Sequence, residues 1–198
     1  MKMNKVANVI TCKDLKNGDF LFSGHPYCNF SQAIDLVTQT GNGTHYSHVG
    51  IVETNIDSIN VYHSSPQYGV CCESLEQFIH PDDQGNTVMV YRLKEEYWQS
   101  IAPAINLARK ILGQKYNPSF RFSAPGYYCS EFIYRIFVPS KIFELMPMTF
   151  KNPSDNKFSS HWIKYYQKLG VSIPEHQPGC NPNGMAASEK LHLIGELK

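Results

Sequence analysis

The chain lacks most of the signatures that would assign it at a glance. It has no GxxxxGK[ST] loop, no GxGxxG after a strand, no HExxH and no GxSxG, which excludes the common nucleotide-binding, zinc-protease and serine-hydrolase frames. It has no dense run of Lys or Arg and a formal net charge of +1, so neither nucleic acid nor an anionic membrane is expected as a partner. No stretch approaches the length of a membrane span. Met1 to Val9 lacks the apolar centre of a signal peptide. The chain as given therefore reads as cytoplasmic, or as extracytoplasmic if a leader has been removed. Its six cysteines (Cys12, Cys28, Cys71, Cys72, Cys129 and Cys180) contain no Cys-x-x-Cys pair. The adjacent Cys71 and Cys72 could bridge only with strain, and scattered free thiols suit a reducing compartment. With no repeat, low-complexity tract or linker, one domain over residues 1–198 is expected.

What is present is globular: 42% of residues are hydrophobic and 18% charged. The 12 Tyr and 11 Phe exceed what a core alone requires. They fit either a cleft lining or half-buried positions at a sheet edge. Lys16-Asn17-Gly18-Asp19 reads as a turn feeding the strand Phe20-Leu21-Phe22. Ser31 can cap a helix running to about Thr40, with Gly41 as its stop. Strands follow at Tyr46–Glu53, Ser58–Ser64 and Thr87–Leu93. Trp98, Ile101, Ile105, Ala108 and Leu112 recur at steps of three and four, which predicts one core-facing helical stripe, with Pro103 near its regular start or at a kink. Further helices are predicted from Cys129 to about Val138, and from Ser159 or Ser160 to Gly170. Pro174 to Gly184 reads as a loop packed over another part of the molecule. Strands in hairpins with helices set apart from them indicate an α+β domain: an antiparallel sheet packed against helices.

Chemistry concentrates at two places. Tyr-Tyr-Cys-Ser-Glu-Phe-Ile puts Cys129 where a turn enters a helix, and there the free N–H groups and the helix dipole favour a thiolate. Tyr-Ser-His-Val-Gly-Ile-Val puts His48 inside a strand. A four-residue loop from Thr54 to Asp57 would pair Glu53 with Ser58, so positions summing to 111 lie opposite each other and His48 faces His63. Opposed residues share a face with Cβ atoms roughly 4.5–5.5 Å apart, which makes His48 a base and His63 its orienter. Of the six cysteines only Cys129 starts a helix, where a backbone N–H can also hold an oxyanion. Glu131, two residues on, reads as a helix cap. A zinc set of His45, His48, His63 and Cys129 is disfavoured, because residues three apart on a strand point to opposite faces. No metal or cofactor is expected.

Gly18-Asp19-Phe20-Leu21-Phe22, Tyr46 to Val52, Gly113-Gln114-Lys115-Tyr116 and Tyr128-Cys129-Ser130-Glu131-Phe132-Ile133, in this order, resemble the NlpC/P60 superfamily. Within it the chain is similar to the circularly permuted YiiX/YebB-like papain-fold cysteine hydrolases, in which the histidine strand precedes the cysteine helix. The tail Pro178 to Gly184 resembles that branch as well. The resemblance implies a permuted papain-like fold with Cys129 as nucleophile at a helix N-terminus, His48 as base and His63 as the third polar residue. It also implies Tyr116 and Ser130 in substrate binding or the oxyanion hole. Two positions depart from the branch: His63 stands where a glutamate is frequent, and Lys115 where proline is usual. A neutral imidazole stabilises an imidazolium less than a carboxylate does, which bears on rate. The substrate the resemblance implies is an amide in a small peptide or cell-wall-type peptide, cleaved through a thioester. Two alternatives stay open: a lipid-ester enzyme of the lecithin:retinol acyltransferase type, and a non-catalytic binding module on the same fold.

Overall fold

The computed structural model describes residues 8–24, 28–79 and 87–198. Most of the N-terminal stretch read above for a leader lies outside them. The strands are β1 (Val9–Ile10), β2 (Phe20–Gly24), β3 (His48–Thr54), β4 (Ile59–Ser65), β5 (Gly69–Ser74), β6 (Thr87–Leu93), β7 (Met146–Pro147), β8 (Pro178–Gly179) and β9 (Leu191–Leu197). The helices are α1 (Asn29–Thr38), α2 (Leu75–Ile79), α3 (Ile101–Lys110), α4 (Cys129–Phe137), α5 (Ser160–Leu169) and α6 (Pro182–Ala186). Seven strands form one sheet in the order β1-β9-β6-β2-β3-β4-β5, while β7 and β8 form a small ribbon of their own. All the ladders are antiparallel except β1 on β9.

Alternation along the strands sorts side chains onto two faces. Phe20, Phe22, Val49, Ile51 and Tyr62 join Phe132, Ile133, Ile136 and Phe137 of α4 in the main core. Leu21, Val52, Val61 and Val90 pack with Leu75 and Phe78 of α2 on the other side. Each fully enclosed Phe or Ile of α4 is worth roughly 1.5–3 kcal/mol of transfer from water, so this helix is fixed against β3 by burial rather than by propensity. The Gly-Asp motif before β2 is structural. Asp19 is completely buried, accepts from the Arg92 guanidinium of β6 at 2.6 and 2.8 Å, and takes the Lys16 N–H at 2.8 Å.

The predicted helices are present, with shifted ends. α1 starts at Asn29, two residues before Ser31, and its N-cap is Cys28, with no side-chain cap bond. Ser159 caps α5 by accepting from the Trp162 N–H, and Gly170 closes it with φ 68°. The stripe drawn from Trp98 to Leu112 is shorter than its spacing implies. Trp98 lies in the preceding 3-10 helix (Glu95–Ser100), both Trp98 and Leu112 are exposed, and Ala104, Ile105 and Ala108 carry the buried face. Pro103 falls in the first turn of α3, where its missing N–H costs nothing. Pro174 to Gly184 is not all loop, since it holds β8 and the start of α6.

Candidate active site

Tyr128 enters α4 in an extended conformation as its N-cap, so Cys129 is the first helical residue. Glu131 is fully enclosed and takes the Tyr128 N–H, Asn117 Nδ2 at 3.2 Å and Arg135 Nη2 at 3.4 Å. It closes the helix start as a cap residue does. Burial pushes its carboxyl up to about 7, and the Asn117 and Arg135 contacts oppose that only in part. A carboxyl raised in the folded state costs stability above that value and releases the cost as pH falls from about 7 towards its ordinary 4.5. Glu131→Gln is therefore expected to stabilise the protein by about 2–3 kcal/mol at pH 8 and by almost nothing at pH 4.5. Urea unfolding of both proteins at the two pH values checks it, and equal stability at pH 8 would refute it.

The Cys129 sulfur rests against the strand backbone. It donates to the Ser47 carbonyl at 3.8 Å and accepts from the N–H groups of Val49 and Ser130. The β3–β4 ladder begins only at Gly50 opposite His63, so at His48 and Val49 the strands are no longer paired. Across that opening Ser64 Oγ donates to the Tyr127 carbonyl at 2.6 Å and ties the helix entry to β4. The thiol thus touches backbone on both sides of His48. Burial pushes it up to about 11, and the nearby N–H groups only reduce that rise. Burial therefore works against the thiolate that the N–H groups at the helix start favour.

His48 and His63 lie together on the α2 side of the sheet, His48 Nε2 being 2.8 Å from His63 Nδ1 with the rings at 85°. The pairing differs from the predicted one. Glu53 faces Asn60, not Ser58, and positions summing to 113 are opposite, so His63 faces Gly50. The turn still holds four residues, 55–58 between the paired Thr54 and Ile59, but it lies one position further along the chain, which moves the pairing sum by two. A slip of two preserves the face, so the histidines meet diagonally instead of directly. Gly50 makes room for this: a Cβ there would come within 2.6 Å of Val61 and 3.0 Å of Phe78, the ring that packs on both imidazoles.

Behind His63 stands a residue the sequence reading missed. Glu73 Oε2 is 3.1 Å from His63 Nε2, and Cys71 Sγ is 3.3 Å from the same nitrogen. In the β4–β5 hairpin Ser65 faces Gly69, so Cys71 falls opposite His63 and Glu73 shares its side of the sheet. Gly69, with φ 68°, was the available signal for that turn. Burial lowers the basicity of His63 and the Glu73 carboxylate pulls it back up. His45, by contrast, is exposed and pairs with Asp35 at 2.9 Å.

Ser130 is buried beside the thiol, and its hydroxyl donates to the Cys180 carbonyl at 3.0 Å. Tyr116 lies in a separate hollow with Phe30, Pro66, Pro118 and Tyr165 and is not among the lining residues of the cavity at the thiol. Gly126 (φ 91°) brings its segment in: a Cβ would strike the Lys115 carbonyl, and Tyr127 N donates to that oxygen at 3.0 Å. Cys129, Ser130 and Ser47 open onto a cavity of about 210 Å³ walled by Ile34, Val37, Phe120, Met148, Phe150 and Trp162. No Lys, Arg, Asp, Glu or His is among its described lining residues. Cys180, Asn181 and Pro182 from the tail form part of the wall. The tail is anchored by the fully buried Asn183. Its Oδ1 accepts from Tyr46 N and Thr44 Oγ1, and its Nδ2 donates to Thr38, Asp35 and the Tyr46 carbonyl.

No curated protein matches the chain. Its backbone is similar to the crystal structure of metalloprotein yiiX from Escherichia coli O157:H7, with 22% identity, a TM-score of 0.72, and coverage of 91% of this chain and 97% of that one. Residues 14–195 match the model of the permuted papain-like amidase enzymes, YaeF/YiiX, C92 family. With that match over nearly its whole length, on a sheet-and-helix frame that sets a cysteine at a helix start against a histidine strand, the chain belongs to the permuted papain-like amidase family and is a papain-like cysteine hydrolase.

Proposed function

We propose that the protein hydrolyses an amide whose acyl side is apolar, through a thioester on Cys129. The supporting observation is the cavity at the thiol, where Ile34, Val37, Phe120, Met148, Phe150 and Trp162 stand with neutral polar groups such as Thr38, Gln39 and Asn181, and no charged side chain is among the described lining residues. A cavity of 150 Å³ accepts a benzene ring, so about 210 Å³ suits an aromatic or branched aliphatic group. A cell-wall stem peptide, rich in carboxylates, would enter it without a cation to meet them, at a desolvation cost.

The proton relay follows from the partners of each nitrogen. The Glu73 carboxylate accepts from His63 Nε2–H, leaving His63 Nδ1 as an acceptor for His48 Nε2–H. His48 then keeps a lone pair on Nδ1 for the thiol proton. Cys129 attacks the carbonyl carbon and the oxygen becomes an oxyanion, held by N–H groups at the start of α4. The His48 imidazolium returns the proton to the departing amine, and water cleaves the thioester with His48 again as base. Ser130 borders this centre, and neither it nor Tyr116 takes part in the transfer.

Competing chromogenic amides check the substrate class. A phenylacetyl or isovaleryl anilide is expected to exceed a γ-glutamyl anilide by about 100-fold in kcat/KM, the scale of a methylene-rich pocket against an unpaired charge. Preference for the γ-glutamyl compound would overturn the apolar-acyl reading. The same apolar walls admit a carboxylic ester of such an acid, and the corresponding p-nitrophenyl esters test that second reading beside the anilides.

A further inference from the structure

The relay uses Glu73 but leaves the Cys71 thiol idle, although Cys71 touches the same nitrogen. Three chemically different donors converge here: His63 Nε2, Cys71 Sγ and a Glu73 carboxylate oxygen, all within 4.8 Å of one another. This is a different set from the one weighed on the sequence, sharing only His63 with it. Zinc binds nitrogen at about 2.0–2.1 Å, oxygen at about 2.0–2.2 Å and sulfur at about 2.3 Å, which in a tetrahedron gives N···O and N···S edges of about 3.3–3.5 Å. The edges here are 3.1 and 3.3 Å. Shifts of a few tenths of an ångström would seat the ion. The three donors sit on paired antiparallel strands, which hold them in place without a loop to order. Glu73 is partly exposed while His63 is almost enclosed, so a fourth position faces solvent as entry and water site. A divalent ion with one thiolate and one carboxylate is neutral overall, which suits a half-buried position.

We infer that His63, Cys71 and Glu73 bind a thiophilic divalent cation of the zinc type, and that its binding switches His48 off by reversing the tautomers of both imidazoles. The second half rests on the reading of His48 as base. The balance is simple. Binding removes one proton, from the Cys71 thiol, and no electron changes hands. The metal takes the lone pair of His63 Nε2, so the His63 proton moves to Nδ1. His63 then donates to His48 Nε2, and His48 must carry its own proton on Nδ1, the atom that would otherwise take the proton of Cys129.

Cobalt(II) added to the metal-free protein reads the site without reference to activity. A thiolate-to-cobalt absorption band is expected in wild type, in Cys72→Ser and in Cys129→Ser, and its loss is expected in Cys71→Ser. Cys72 faces the opposite side of β5, against Tyr62, and serves as the control thiol. No band in wild type, or a band that survives Cys71→Ser, overturns the site. The switch is read by iodoacetamide alkylation of Cys129, resolved by mass spectrometry, with and without zinc. Zinc is expected to slow wild type to the rate of metal-free His48→Ala and to leave Cys71→Ser at its own metal-free rate. Equal slowing in both proteins, or none in wild type, overturns the switch. If His48→Ala itself alkylates like wild type, the base reading fails, while the cobalt band still decides the site.

Discussion

Alanine at Cys129 or at His48 is expected to lower hydrolysis by about 10⁴- to 10⁶-fold, and the double variant by no more than either single one, because residues acting as one unit are not additive. The reason lies in the thiol's surroundings. Enclosure pushes Cys129 up to about 11, so without a base its thiolate fraction at pH 7 is about 10⁻⁴. Hydrogen bonds from Ser130, Val49 and the Cys129 N–H itself offset that rise only in part. A base is the remaining route, and in the proposed relay it is His48, whose backbone neighbours Ser47 and Val49 touch the sulfur. Alkylation separates this from a structural defect. In wild type Cys129 is expected to react with iodoacetamide near neutral pH. In His48→Ala the reaction should climb only as pH rises towards about 11. A His48→Ala protein that alkylates at pH 7 as fast as wild type would sink the pair.

Much of this arrangement is legible before any coordinates, and what is not has physical causes. Strand parity is robust: the two-residue error in the β3–β4 register left His48 and His63 on one face because side chains alternate with period two. A one-residue error would have separated them. Helix existence is legible from apolar spacing and from caps such as Ser159 and Gly170, whereas the ends of α1 follow tertiary contacts that no local signal carries. The opposing effect of burial on the thiol was not legible, because a helix start is visible in sequence while the depth of enclosure is not. Glu73 was hidden for a related reason: it acts across a second hairpin, so finding it needs two registers at once. Asn183 shows nothing in its own neighbourhood, since its partners lie some 140 positions away.

In the proposed relay Glu73, behind His63, supplies the carboxylate that a histidine in the third position lacks. His63→Ala is expected to lower kcat by about 10²- to 10⁴-fold and Glu73→Gln by about 10- to 100-fold, with KM nearly unchanged in both. In the proposed relay His63, 2.8 Å from the His48 ring, sets which of its nitrogens carries the proton. In that relay Glu73 acts through His63, from 3.1 Å, so its loss would leave the second imidazole in place but free to take either tautomer. A carboxylate at the end of two imidazoles steadies the imidazolium on His48 by drawing its proton towards His63, which a neutral amide does more weakly. The order matters more than the size. In His63→Ala the carboxylate has nothing to act on, so adding Glu73→Gln should change kcat no further. If Glu73→Gln costs as much in the His63→Ala background as in wild type, Glu73 works through some other group and the relay is wrong. A Glu73→Gln variant whose KM rises while kcat holds would give it a place in substrate binding, which its position behind His63 on the α2 side of the sheet argues against.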